Sequence, residues 1–212
     1  PGHRRGLRSS ARGRRHAEPI VAFVPDVERP PPVRPEKAST YTRRKVRKRI
    51  AEARHGYHRV FGIGETKTAT SSFGTALELL GFHRHVGWDP RLYQAYLAGD
   101  LDPILDIARR YEAFEDLPWG AGDLYRVLAE RFPRARFVLT VRDLESWAIS
   151  HERHWGPDSH IPAWLRIPDY AARREEIAAA YLRRNDEIRA FFSDQPKRFL
   201  ELDIVGGDGW PK

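Results

Sequence analysis

The chain has 212 residues, a length that suits one domain with an appendage and is enough to bury a substantial core. It carries 37 Lys and Arg against 29 Asp and Glu, a net charge of +8, and no Cys, which excludes disulfides and Cys-ligated zinc or iron–sulfur centres. No apolar run approaches the ~18 residues of a membrane-spanning helix and no h-region is visible, so the expectation is a cytoplasmic protein.

The sequence begins at Pro1 and contains no Met, so an incomplete chain is expected. Its positive charge is concentrated in two clusters. Arg4, Arg5, Arg8, Arg12, Arg14 and Arg15 form the first, and Arg43, Arg44, Lys45, Arg47, Lys48 and Arg49 the second. Together they outweigh the net charge, so the remainder is mildly acidic. Residues 1–40 include the run Arg29-Pro30-Pro31-Pro32-Val33-Arg34-Pro35 and read as a basic, disordered leader. Such an arm can also bind nucleic acid or an anionic membrane face. The folded domain is expected over residues 41–212, entered through a basic helix at 41–55.

Thereafter strands and helices alternate. Residues 60–63 are a short apolar run closed by Gly64, a buried strand, and 69–80 repeat Phe73, Ala76, Leu77 and Leu80 at helical spacing. A second strand is expected at 83–86. Helices follow at 92–97 and 104–111, separated by a break at Asp100 and Pro103. A third strand is expected at 111–115. Leu124, Val127, Leu128 and Phe132 mark an amphipathic helix ended by Pro133. Residues 137–141 are the clearest buried strand, and Asp143 is a good N-cap for the helix after it. Tyr170, Ile177, Tyr181, Ile188 and Phe192 form one stripe of a long helix over 169–192, and 199–204 close with a strand. This order implies an α/β fold with a central parallel sheet covered by helices on both faces. Ligands in such sheets bind where strand carboxyl ends feed helix N-termini.

The loop Gly62-Ile63-Gly64-Glu65-Thr66-Lys67-Thr68-Ala69-Thr70-Ser71-Ser72 stands at such a place. Glycines admit close backbone approach, and a helix start offers unpaired N–H groups to an anion. Lys67 adds a mobile positive charge, and Thr68, Thr70, Ser71 and Ser72 add hydroxyls. It is not the nucleotide-kinase loop, because Thr66 rather than Gly precedes Lys67. The simpler alternative is a hydroxyl-rich N-cap on an ordinary helix. Arg142, at the end of the 137–141 strand, and Ser150, eight residues on, can grip a second phosphate. Two anion sites at neighbouring strand ends suit a ligand phosphorylated at two separated places.

With these motifs in this order the chain resembles the P-loop sulfotransferases over residues 59–210. Lys67-Thr68-Ala69-Thr70-Ser71 is similar to the family's Pro-Lys-x-Gly-Thr-Thr run. Arg142 and Ser150 resemble its 3′-phosphate pair, and Asp116-Leu117-Pro118 its His-Leu-Pro tripeptide. Phe132-Pro133, Arg142-Asp143-Leu144-Glu145-Ser146-Trp147 and Gly207-Asp208-Gly209-Trp210 resemble a subgroup common in bacteria, with Asp-x-Pro and Arg-Asp-x-x-x-Trp motifs. Departures are Thr66 for Pro, Ala69 for Gly and Asp116 for His, and no Arg-Lys-Gly element precedes Lys212.

The resemblance implies the three-layer P-loop (nucleoside-kinase-like) fold. It also implies transfer of a sulfuryl group from 3′-phosphoadenosine-5′-phosphosulfate (PAPS), with 3′,5′-adenosine bisphosphate (PAP) as product, to an acceptor hydroxyl or amine without a metal. Donor-binding residues on this basis are Lys67, Thr68, Ala69, Thr70, Ser71, Ser72, Arg142 and Ser150. Catalytic residues are Lys67 and Asp116, with Glu115 the neighbour able to replace Asp116. Ala69 is expected to take a negative φ as part of the first helical turn. Trp88, Trp119, Trp147, Trp155 and Trp164 read most simply as core residues, with Trp119 and Trp155 also candidates to line an acceptor pocket or stack on adenine. The acceptor pocket is expected from residues 91–111 and 159–170. His83 and His85, two apart on a strand, share a face, as do His151 and His154, three apart on a helix; both pairs are read as pocket or surface residues rather than metal ligands. Two alternatives stand beside the enzyme: a non-catalytic nucleotide-binding relative, and nucleic-acid binding through the basic arm.

Overall fold

The computed structural model describes residues 59–82 and 87–209. Four strands, β1 (Val60–Gly62), β2 (Ala113–Phe114), β3 (Arg136–Thr140) and β4 (Phe199–Leu202), form one sheet in the order β2-β1-β3-β4. Every pairing is parallel. Six α-helices connect or follow them: α1 (Thr70–Leu79), α2 (Pro90–Leu97), α3 (Asp102–Arg110), α4 (Leu124–Arg131), α5 (Leu144–Trp155) and α6 (Tyr170–Phe192). The expected leader, the 41–55 helix, the 83–86 strand with His83 and His85, and Trp210 lie outside the described residues.

Side chains alternate across a strand, and that alternation builds the two faces of the sheet. Phe61, Ile63, Phe114, Phe137 and Leu139 point to one face, where they pack with Ile104, Leu105, Leu124, Leu128, Ile188 and Phe192 from α3, α4 and α6. Val60, Ala113 and Val138 point to the other and meet Phe73 and Leu77 of α1. The fold is therefore the three-layer α/β arrangement that the strand–helix alternation implies. A smaller cluster of Trp147, Tyr170, Ile177 and Tyr181 joins α5 to α6.

Several boundaries differ from expectation for local reasons. The 60–63 strand ends at Gly62, although the Ile63 N–H still bonds the Val138 carbonyl at 2.8 Å. The 111–115 strand shrinks to Ala113–Phe114. Asp116 has a φ of 63°, which turns the chain out of the sheet. Pro103 is not a break but sits in the first turn of α3, where its missing N–H costs no bond. Ala69 is not in the first turn of α1. It precedes that helix in a left-handed conformation, with φ 68° and ψ 33°.

Candidate functional site

β1 is central, with β2 on one side and β3 on the other, so the loops leaving β1 and β3 rise from adjacent carboxyl ends. The β1 loop crosses directly over the end of β3. A Cβ on Gly64 would stand 2.0 Å from Thr140 Oγ1, and one on Gly120 would stand 2.2 Å from the Gly64 carbonyl oxygen. No side chain fits at either position, and the loop lies flat on the sheet edge.

Polar contacts then pin the loop from several elements. The Thr68 hydroxyl donates to the Glu65 carbonyl and lies against Thr140 Oγ1, both at 2.6 Å, and Thr68 is fully buried. Trp147 Nε1 donates to the Thr66 carbonyl at 2.9 Å, and Trp155 Nε1 donates to Thr66 Oγ1 at 3.0 Å. The Arg184 guanidinium holds the Ile63 carbonyl at 3.1 Å. Thr66 thus receives two indole N–H groups, one on its carbonyl and one on its hydroxyl.

Two left-handed residues shape the next stretch of the loop. φ is 69° at Lys67 and 68° at Ala69, but not positive at Thr68 or Thr70. Alternation of φ in sign is a feature of the backbone nests that turn successive N–H groups toward an anion. The chain then enters α1, where no side chain caps the N-terminus. The N–H groups of Thr70, Ser71 and Ser72 belong to the first turn, for which a helix supplies no internal acceptor. The hydroxyl-rich N-cap considered as the simpler alternative is therefore not formed. Thr70 is buried, whereas Ser71 and Ser72 are exposed.

Arg142 comes to the same place. Its Nη1 donates to the Lys67 carbonyl at 3.3 Å, so the guanidinium lies beside the loop. Its Nε donates to the Ser146 hydroxyl rather than to Ser150. Ser150 is half-buried, one turn further along the same face of α5. Asp143 caps α5 as expected, accepting the Ser146 N–H at 3.0 Å.

Asp116 approaches from β2. Its Oδ1 accepts the Leu117 N–H at 2.8 Å, and its Oδ2 accepts the Thr70 hydroxyl at a longer 3.4 Å. Burial pushes its carboxyl above the ordinary carboxylate range, while those two bonds and the nearby His154 and Lys67 oppose the shift. Glu115 is buried and faces Gly87, where a Cβ would stand 2.8 Å from its Oε1.

For the tryptophans and histidines, the structure decides between the readings that the sequence left open. Trp119 is fully buried against Phe61 and Phe114, so it cannot stack on a ligand. Trp155 serves the loop through Thr66. His154 is edge-on to Trp155, with ring centroids 4.9 Å apart. Burial, then Lys67, lowers its pKa, and Asp116 raises it. His151 is buried with its Nδ1 2.7 Å from the Tyr170 hydroxyl. The three-residue spacing of the two histidines identified a shared face but not its partners. Among the described residues no cluster of three or more His, Asp or Glu could hold a metal ion.

Residues 59–177, over half of the chain, match the family model of the sulfotransferase domain. The chain belongs to this sulfotransferase family. No curated protein matches it. The matched segment of this sulfotransferase domain contains the β1 loop, Asp116, Arg142 and Ser150, and it ends within α6. Among the described residues no helix is long and apolar enough to cross a membrane.

Proposed function

We propose that the domain transfers a sulfuryl group from PAPS to a hydroxyl or amine of an acceptor. The observation that carries this reading is the uncapped start of α1, preceded by the left-handed pair Lys67 and Ala69, with the Arg142 guanidinium beside the loop. Family membership supplies the reaction class.

PAPS would supply an activated sulfuryl group, with phosphates at two separated positions. The N–H groups of Thr70, Ser71 and Ser72, the exposed hydroxyls of Ser71 and Ser72, and the Lys67 ammonium suit the 5′ end. Thr68 has committed its hydroxyl to the fold and offers its backbone N–H alone. Arg142, with Ser150 a turn beyond Ser146, suits the 3′-phosphate. As the acceptor oxygen or nitrogen forms its bond to sulfur, the bond from sulfur to the bridging oxygen breaks. Lys67 stabilises the electron pair left on phosphate, and preorganised charge of this kind often contributes more to catalysis than any other single effect. Asp116 takes the acceptor's proton, and its raised pKa brings it closer to the range where a carboxylate is an effective base.

A thermal-shift titration with PAP, ATP and AMP on the wild type and Lys67→Ala tests the donor site. Ligand at 100 times its dissociation constant adds about 2.7 kcal/mol, or roughly 5–10 °C for a domain of this size. PAP alone is expected to give that shift, and Lys67→Ala to reduce it. Absence of a PAP shift in the wild type overturns the donor reading. Binding without PAP release from PAPS favours the non-catalytic relative. Binding of nucleic acid that is lost with residues 1–50 favours the basic-arm alternative.

A further inference from the structure

Tyr181, on α6, is buried, and its hydroxyl accepts the Arg142 N–H and donates to the Arg142 carbonyl, both at 2.9 Å. One side chain therefore clamps both backbone polar groups of a residue that lies beyond the end of β3. β3 stops at Thr140, and the last neighbouring sheet bond runs from the Val141 N–H to the Leu202 carbonyl. Tyr181 thus supplies the side-chain bonds to the Arg142 backbone, between the sheet bond of Val141 on one side and the Asp143 cap on the other, while the guanidinium is held separately by Ser146 and the Lys67 carbonyl.

The Tyr181 ring lies flat on Trp147, with centroids 4.0 Å apart and planes 12° from parallel. Trp147 is buried, and its Nε1 holds the Thr66 carbonyl, immediately before Lys67. A single stacked pair thus joins the backbone that carries Arg142 to the loop that carries Lys67. Burial pushes the Tyr181 phenol up in pKa, so it remains a hydrogen-bond donor across the physiological range.

We propose that Tyr181 is a positioning residue that fixes Arg142 at a set distance from the β1 loop and so makes the domain prefer a nucleotide phosphorylated at both the 3′ and 5′ positions over one phosphorylated at 5′ alone. The inference rests on the donor reading given under the proposed function. Two anion sites reward a doubly phosphorylated ligand only if their spacing is held before binding, because otherwise ordering the arginine consumes part of the gain. Tyr181 acts through Arg142 and need not touch the ligand. The Trp147 Nε1 bond differs, because it holds the Thr66 carbonyl on the 5′ side; its loss, with an aromatic ring kept beneath Tyr181, should influence both nucleotides alike.

The test is calorimetric titration of wild type, Tyr181→Phe and Trp147→Phe with PAP and with 5′-AMP. Tyr181→Phe keeps the aromatic stack and removes only the hydroxyl, and circular dichroism checks that each variant is folded. Tyr181→Phe is expected to weaken PAP about tenfold and 5′-AMP less than threefold, so the ratio of the two affinities contracts. Trp147→Phe, which loses the Thr66 bond, is expected to weaken both by similar factors and leave the ratio intact. Equal weakening of both nucleotides by Tyr181→Phe, or an unchanged ratio, overturns the inference and leaves the donor reading standing. A wild type that does not prefer PAP overturns both together.

Discussion

His151 makes stability depend on acid in a way that can be worked out from its surroundings. The imidazole is buried between Trp147 and Trp155, and its Nδ1 meets the Tyr170 hydroxyl at 2.7 Å. Burial, with smaller contributions from His154 and Lys67, pushes its pKa down to about 3. In the unfolded chain a histidine titrates near 6.5. Between these two values the unfolded state binds a proton that the folded state refuses, so stability falls as pH drops from about 6.5 toward 3. Each unit of pH in that window costs about 1.4 kcal/mol, and the change from pH 7 to pH 5 comes to about 2 kcal/mol. The loss corresponds to roughly 4–8 °C in Tm for a domain of this size. Denaturant melts of wild type and His151→Asn at pH 7, 6 and 5 isolate the effect, because carboxylate titrations are common to both proteins. His151→Asn should start less stable at pH 7 and show a pH dependence flatter by that 2 kcal/mol. Parallel curves for the two proteins would refute the assignment, as would an imidazole whose NMR titration midpoint in the folded protein lies above 6.

Ala69→Gly should stabilise the protein by about 0.5–1 kcal/mol in denaturant melts, because a Cβ at φ 68° is strained; the greater freedom of glycine in the unfolded chain offsets part of the gain. Asp116→Asn retains an oxygen to accept the Leu117 N–H, so it should fold and keep PAP affinity within about threefold. Its rate of PAP release from PAPS should fall by about 10²–10⁴, and full retention of rate would remove Asp116 as the proton acceptor. In the wild type that rate should decline as pH falls through a midpoint above the ordinary carboxylate range, because the base is then protonated.

Much of this molecule could be read directly from its sequence, and the reason is range. The apolar run around Phe61, the strand at residues 137–141 and the stripe from Tyr170 to Phe192 are periodic signals, and periodicity is a property of neighbours. Their alternation determined the parallel sheet and its two helical layers. Topology then determined that the β1 loop and Arg142 would meet at adjacent strand ends, because ligand crevices in such sheets open there. The order of the motifs carried the family resemblance for the same reason: each motif is local, and together they are specific.

Tertiary structure decided which atoms of those motifs are available. Thr68 turns its hydroxyl inward, where it donates to the Glu65 carbonyl and meets the hydroxyl of Thr140, 72 residues away. Ala69 becomes left-handed because the loop must lie flat over Thr140 and still enter α1, a demand that overrides its preference for negative φ. Arg142 bonds Ser146 rather than Ser150, and its backbone is held by Tyr181, 39 residues along the chain. Trp147 and Trp155 read as core or pocket residues in isolation, yet they reach back 81 and 89 residues to hold Thr66. Propensity and spacing report on the turn or strand a residue occupies. The direction of a hydroxyl, the handedness of one alanine and the anchor of a loop are set by partners that only the folded chain brings within 3 Å.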